Sequence, residues 1–130
     1  MISDELTYRD VSDIQLPYEI AQIFMQGALR IKRSIGQNII TQSDNTQDVF
    51  YIQSGSVEIS IQAPNAKEFI FREMGAGSII GELSAIDGAK RSLTVCALED
   101  TVLYKVSPKY FLSLVETNRE FSRWLTHSLV

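Results

Sequence analysis

The chain has 130 residues, 45% of them hydrophobic and 22% charged, which is the size and balance of one globular domain. Twelve Lys and Arg against sixteen Asp and Glu give a net charge of −4, so the chain lacks the cationic excess of a nucleic-acid surface or a basic membrane-lying helix. The only cysteine, Cys96, excludes an internal disulfide and a cysteine-built zinc or iron–sulfur site, and the only histidine, His127, removes most triad and His-rich metal chemistry.

No apolar run approaches the ~18 residues of a transmembrane helix, so no membrane insertion is expected. The acidic start Met1-Ile2-Ser3-Asp4-Glu5 is not that of a secretory signal, and the reducing cytoplasm is the expected location. Residues 1–15 are polar and read as an irregular segment; residues 16–130 read as one domain. Leu16, Ile20, Ile23 and Phe24 recur at helical spacing, with Pro17 suited to a first turn, and predict a helix over 17–26.

From Ala28 to Val106 the pattern is that of short strands. Val49-Phe50-Tyr51-Ile52 is a short aromatic and β-branched run. Val57-Glu58-Ile59-Ser60-Ile61 alternates as a half-buried strand does, and Gln53-Ser54-Gly55-Ser56 between the two is a turn in which glycine makes positive φ cheap. Phe69-Ile70-Phe71 follows a hairpin loop at 63–67, and Leu93–Leu98 and Val102–Val106 are two further strands split by Glu99-Asp100. In the first of these, Cys96 reads as buried filler. Such short strands with turns between them predict a mainly β fold, an antiparallel β-barrel or jelly roll, flanked by short α-helices.

The end of the chain is helical. Ser107-Pro108 is a cap followed by proline at the first helical position, and Phe111, Leu114 and Val115 share a face. Thr117-Asn118-Arg119-Glu120 fits a capping box with Thr117 as the cap. Phe121, Trp124, Leu125 and Leu129 then form an apolar stripe, read as core packing, with docking on a partner as the other possibility. This helix reaches the last residue without a stop signal and is read as truncated.

Residues 75–95 carry the chemistry. Leu83–Ile86 can form one helical turn after Gly81-Glu82, and the free N–H groups at its start can hold an anion. Arg91 follows a loop containing Gly88, which can fold its planar fork back over that turn. Such a fork suits a phosphate bidentately, with the Ser92 hydroxyl beside it. Glu82 would repel a phosphate but accepts from a sugar hydroxyl. The plainer alternative is that Glu82 and Arg91 pair in a solvated loop and that the glycines at 75, 77, 81 and 88 serve only turns.

The order of these residues resembles the phosphate-binding cassette of the cyclic nucleotide-binding domain family: Gly-Glu-Leu, a few apolar residues, a glycine-containing loop, then Arg with a small residue and a strand. Gly81, Glu82, Leu83, Arg91, Ser92, Thr94 and Val95 fall in place. Gly36-Gln37-Asn38-Ile39-Ile40 is similar to the family's early strand, Tyr51-Ile52-Gln53-Ser54-Gly55-Ser56-Val57 to its hairpin, and Val102–Ser107 with Phe111 to its last strand and first hinge helix, so that the likeness runs over residues 16–130. The resemblance is strongest to the sensor domain of bacterial catabolite-activator-type regulators. The departures are Lys90 where many members have proline, Ser43 where glycine is common before Asp44, and Ser84 in place of the usual alanine.

The resemblance implies that Glu82 accepts from the ribose 2′-OH, that Arg91 clamps the cyclic phosphate, that the Leu83 and Ser84 N–H groups cradle it beside Gly81, and that Ser92 assists. Phe71 and Ile59 sit on strands that line the base pocket in the family, although core packing is the favoured reading for both, since any inward residue of such a barrel is apolar. The expected function is a non-enzymatic sensor that binds a 3′,5′-cyclic mononucleotide, cAMP before cGMP, with no cofactor and no metal. Its output module, expected to be transcription regulation, lies outside this chain. A homodimer through the last helix is a further expectation, as is the lack of DNA binding by these residues alone. The alternative is a domain of the same fold that has lost its ligand and mediates contacts only. A small cupin-type enzyme needs several His and carboxylate ligands for its metal, and one histidine does not supply them. His127 reads as a surface residue rather than a haem ligand.

Overall fold

The structure, a computed structural model, describes residues 14–65 and 67–129. The irregular segment expected over 1–15 lies outside the described residues up to position 13; Ile14–Gln15 is already a short strand, β1, paired with Ile79 and Ser78. Helix α1 spans Tyr18–Gln26, with Pro17 one position before the first turn, at the N-cap. Then follow β2 (Leu29–Arg33), β3 (Asn38–Ile40), β4 (Val49–Ser54), β5 (Ser56–Gln62), β6 (Glu68–Gly75) and β7 (Ser78–Ile80). The chain continues with α2 (Glu82–Asp87), β8 (Thr94–Ala97), β9 (Thr101–Val106), α3 (Pro108–Thr117) and α4 (Arg119–Leu129).

The strands form two antiparallel sheets, one of five strands in the order β1-β7-β4-β9-β2 and one of four in the order β3-β8-β5-β6. They face each other as a jelly-roll-like sandwich rather than closing into one barrel. Ile40, Phe50, Ile52, Val57, Ile59, Met74, Ile80, Val95 and Leu103 fill the space between them. The opposite face of the five-stranded sheet, with Val49, Ile79 and Val106, packs under the helices against Phe24, Phe111, Phe121 and Leu125. Central strands buried on both faces read as continuous apolar runs rather than alternating ones, which accounts for Val49-Phe50-Tyr51-Ile52.

Gly55 turns β4 into β5 at φ 95°, where a Cβ would come within 2.7 Å of the Asp100 carbonyl oxygen. The pairing of β5 with β6 shifts register between Ile59 and Ser60: Ile59 pairs with Arg72 and Ser60 with Ile70, so Phe71 is the extra residue of β6. Ser60 is buried along with Ile59 and Ile61, against the strict alternation read from the sequence. Cys96 is half-buried rather than buried, because alternation along β8 sends Val95 and Ala97 inward and Cys96 to the other face.

The C-terminal helices hold the layer under the sheet. Ser107 caps α3, its side chain accepting from the Tyr110 N–H at 3.0 Å. The cap of α4 differs from the expectation: Thr117 is the last residue of α3 and its hydroxyl donates to the Ser113 carbonyl at 2.6 Å, while Asn118 Oδ1 accepts from the Phe121 N–H at 2.9 Å. Either residue type can cap, and the longer α3 claims Thr117 and leaves the role to Asn118. The Phe121 ring meets Phe111 edge-on at 5.6 Å and Trp124 at 5.5 Å, and the Trp124 indole N–H donates to the Gln15 carbonyl at 3.0 Å. The stripe on α4 is thus core packing at Phe121, Trp124 and Leu125; the Leu129 side chain lies outside the described residues. Among the described residues no helix is long and apolar enough to cross a membrane.

The cap assignment is directly testable. Asn118→Ala should lower unfolding free energy by about 1 kcal/mol, whereas Thr117→Ala should leave it within about 0.5 kcal/mol of wild type, because a hydroxyl bonded back to the preceding turn does not stabilise a helix. Urea denaturation of the two variants distinguishes Asn118 from Thr117 as the cap.

Candidate ligand site

Strand β7 ends at Ile80, and the chain turns at once into α2 through Gly81, whose φ is 87°. A Cβ there would lie 2.8 Å from the Asp48 carbonyl oxygen and 3.0 Å from an Arg91 guanidinium nitrogen. Glycine is therefore required both by the left-handed backbone and by the lack of room. The turn points the start of α2 toward the gap between the sheets. At its far end Gly88, also left-handed at φ 70°, donates its N–H to the Ser84 carbonyl at 2.9 Å and releases the chain toward Arg91.

Arg91 is 4% exposed and Glu82 6% exposed, so neither sits in a solvated loop. The Arg91 guanidinium donates through Nε to the Thr46 hydroxyl at 3.1 Å, and through its terminal nitrogens to the Gly81 carbonyl at 3.0 Å and the Asp48 carbonyl at 2.7 Å. An arginine side chain has five N–H donors, and these bonds use one on each nitrogen. Among the described residues one N–H on each terminal nitrogen stays available. Burial lowers the pKa of Arg91 from its ordinary value, while the nearby Asp48, Glu82 and Asp44 carboxylates push it back up. A guanidinium stays protonated in proteins, so a full positive charge is held below the surface.

The loop between β3 and β4 holds this arginine from the other side. The Arg91 N–H donates to the Asp44 carbonyl and the Ser43 N–H donates to the Arg91 carbonyl, each at 2.8 Å. Ser43 makes this ladder in the left-handed region, at φ 75°. The preference for glycine noted before Asp44 thus has a conformational cause, and serine bears the strain here. Gln42 extends the sheet with its side chain, accepting from the Gln62 N–H at 2.7 Å and donating to the Gln62 carbonyl at 3.0 Å. Gln47 donates to the Gly88 carbonyl at 3.1 Å.

These elements enclose an open pocket of about 440 Å³ including the solvent in its mouth. Its floor is apolar, with Ile40, Ile59, Met74, Ile80 and Val95. Its rim carries Gly81, Glu82, Leu83, Ser84, Arg91 and Ser92. Of the candidate residues, these six and Ile59 therefore share one cavity. Phe71 lies on β6, but its side chain is outside the described residues. Ser92 is exposed and Leu83 half-buried, while Ser84 is buried. Thr46, Asp48 and Met74 were missed: the first two act from a remote loop with no motif of their own, and Met74 is an ordinary apolar strand residue. His127 is exposed on α4. A buried cation beside a buried carboxylate, over an apolar floor, suits a small ligand with an anionic group, a hydroxyl and a flat apolar part.

Sandwich, αL turn and recessed arginine together define the class of fold and site. The chain matches the cyclic nucleotide-binding domain family over residues 30–118, more than half its length, and belongs to that family. It is 32% identical over 99 residues to a Pycsar effector protein of Xanthomonas perforans, covering 75% of this chain and 31% of that protein. It is 30% identical over 92 residues to the cAMP-activated global transcriptional regulator CRP of Haemophilus influenzae, covering 70% of this chain and 41% of the regulator. In structure it is similar to the Thermus thermophilus catabolite activator protein, with a TM-score of 0.77, 25% identity, and coverage of 86% of this chain and 53% of that one. The chain thus spans less than half the length of both curated relatives.

Two substitutions test how the backbone shapes the site. Gly81→Ala combines a left-handed backbone with a close approach and should cost about 2 kcal/mol or more in unfolding free energy. Ser43→Gly relieves strain at an open position and should stabilise the domain by up to about 1 kcal/mol, net of the added freedom of the unfolded chain. Chemical denaturation measures both.

Proposed function

We propose that the domain is a non-enzymatic sensor of a 3′,5′-cyclic mononucleotide, cAMP by preference, bound in the pocket under Arg91. The observation that carries this reading is the recessed Arg91 guanidinium with one N–H left on each terminal nitrogen, facing a cavity that also holds Glu82. The two remaining N–H groups suit two oxygens of a phosphate. The Leu83 and Ser84 N–H groups, in the first turn of α2, supply further donors, and Ser92 adds a hydroxyl at the mouth. Glu82 accepts from the ribose 2′-OH, and the base lies on the apolar floor beside Ile59. No cofactor or metal takes part.

The names of the relatives support cAMP and a transcriptional output, since one is a cAMP-activated regulator and another a catabolite activator protein. In this reading the ligand's arrival is relayed through α3 and α4, which pack on the sheet that carries β7, to an output module outside residues 1–130. A homodimer through α4 belongs to the same proposal. With a net charge of −4, residues 1–130 alone are expected not to bind DNA specifically.

Isothermal titration calorimetry with cAMP, cGMP and 5′-AMP tests the ligand class. The expected result is saturable binding of a cyclic nucleotide, tighter for cAMP, and at least about ten-fold weaker binding of 5′-AMP, whose open phosphate does not match the donor array. No heat with either cyclic nucleotide would leave an interaction module that has lost its ligand. The role of Glu82 has its own test: Glu82→Ala should weaken cAMP binding but barely change binding of 2′-deoxy-cAMP, which already lacks the hydroxyl. Equal losses for the two ligands would make Glu82 structural.

A further inference from the structure

The three bonds that hold the Arg91 guanidinium are not equivalent. Two go to backbone carbonyls, of Gly81 and Asp48, which every side chain at those positions would present. The third goes from Nε to the Thr46 hydroxyl, the one side-chain acceptor among the described residues that bonds the group. Geometry separates their roles. Bonds at the two terminal nitrogens fix two points of a planar group, and its tilt about the line joining them is then limited only by the side-chain torsions that lead to Nε. A third bond at Nε fixes the plane.

We propose that Thr46 is a positioning residue of the ligand site: its hydroxyl sets the plane of the Arg91 guanidinium so that the two remaining N–H groups point at the phosphate position in the pocket. The proposal rests on the reading of the pocket as a cyclic nucleotide site. Thr46 itself does not line the pocket, so it acts through Arg91 alone. It is placed by the ladder that joins Ser43 and Asp44 to the Arg91 backbone, so the residue being oriented also anchors the loop that orients it. Thr46 lies on an exposed loop, and its replacement removes a hydroxyl without emptying the core.

The test uses Thr46→Val, which keeps the branched shape and loses the acceptor, and Thr46→Ser, which keeps the acceptor. Two readouts are taken on the full 130-residue chain. In the ligand-free protein, ¹⁵N-edited NMR follows solvent exchange of the Arg91 Nε–H, assigned by its loss in Arg91→Lys. In titrations, the affinities for cAMP and for the Sp and Rp phosphorothioates of cAMP are compared, because sulfur then replaces one or the other exocyclic oxygen. The expected results for Thr46→Val are faster Nε–H exchange, cAMP affinity lower by about three- to ten-fold, and an Sp/Rp affinity ratio closer to one, all restored in Thr46→Ser. A merely structural role would lower affinity for both diastereomers alike and leave their ratio unchanged. Wild-type exchange and a wild-type ratio in Thr46→Val overturn the proposal. A wild-type protein that binds no cyclic nucleotide overturns the reading of the pocket instead, and the exchange measurement then decides the Thr46–Arg91 tie by itself.

Discussion

A buried guanidinium is the constraint around which this domain is arranged. Removing a charge from water is costly, and it is tolerated only where hydrogen bonds replace the lost hydration. The Arg91 guanidinium obtains them from two segments far apart in the chain, the αL turn at Gly81 and the β3–β4 loop carrying Thr46 and Asp48, and its backbone is laddered to Ser43 and Asp44 of the same loop. Its partners are mostly carbonyl oxygens, which compensate the charge without neutralising it. The arginine therefore ties the loop between β3 and β4 to the start of α2 while keeping positive charge and donors in reserve at the pocket. In the proposed reading, one side chain joins the stability of the site to its capacity for an anion.

The surrounding fold makes that arrangement rigid. The central strands of the five-stranded sheet, β7, β4 and β9, are buried on both faces, against the four-stranded sheet on one side and against α1, α3 and α4 on the other. Strand β7 runs through this double burial and delivers Gly81 and Glu82 directly from it, so the turn before α2 is anchored in the core. Ile79 and Ala85 belong to the helix-side cluster, while Ile80 belongs to the cluster between the sheets and lines the pocket. Packing is thereby contiguous from Ala85 on α2 to Phe111 and Phe121 on α3 and α4.

Much of this was legible in the sequence because the signals are local. Ser107-Pro108 marks the start of α3, Gly55 the β4–β5 hairpin, and the residues from Gly81 to Val95 follow the order of the family's cassette. The pairs and caps that went unread depend on tertiary choice. Asn118 rather than Thr117 caps α4 because α3 runs one residue longer than the motif suggests. The shift at Ile59 and Ser60 is set by pairing with β6, which a single strand's alternation does not report. Cys96 is half-buried because its neighbours Val95 and Ala97 take the inner face. Thr46 carries no signal at all: a threonine in a polar loop becomes meaningful only when the fold brings Arg91, 45 residues away, against it. Burial of Glu82 and Arg91 was the point on which the sequence left two readings open, and the structure decides against the solvated pair.

Differential scanning calorimetry of wild type and Arg91→Ala, each with and without excess cAMP, tests the central claim most directly. If Arg91 both ties the site together and holds the phosphate, the variant unfolds cooperatively at a lower Tm than wild type. A ligand that binds the folded state raises Tm by mass action, so cAMP should raise the Tm of wild type and leave that of the variant nearly unmoved. A variant whose Tm rises with cAMP as much as that of wild type would contradict the account.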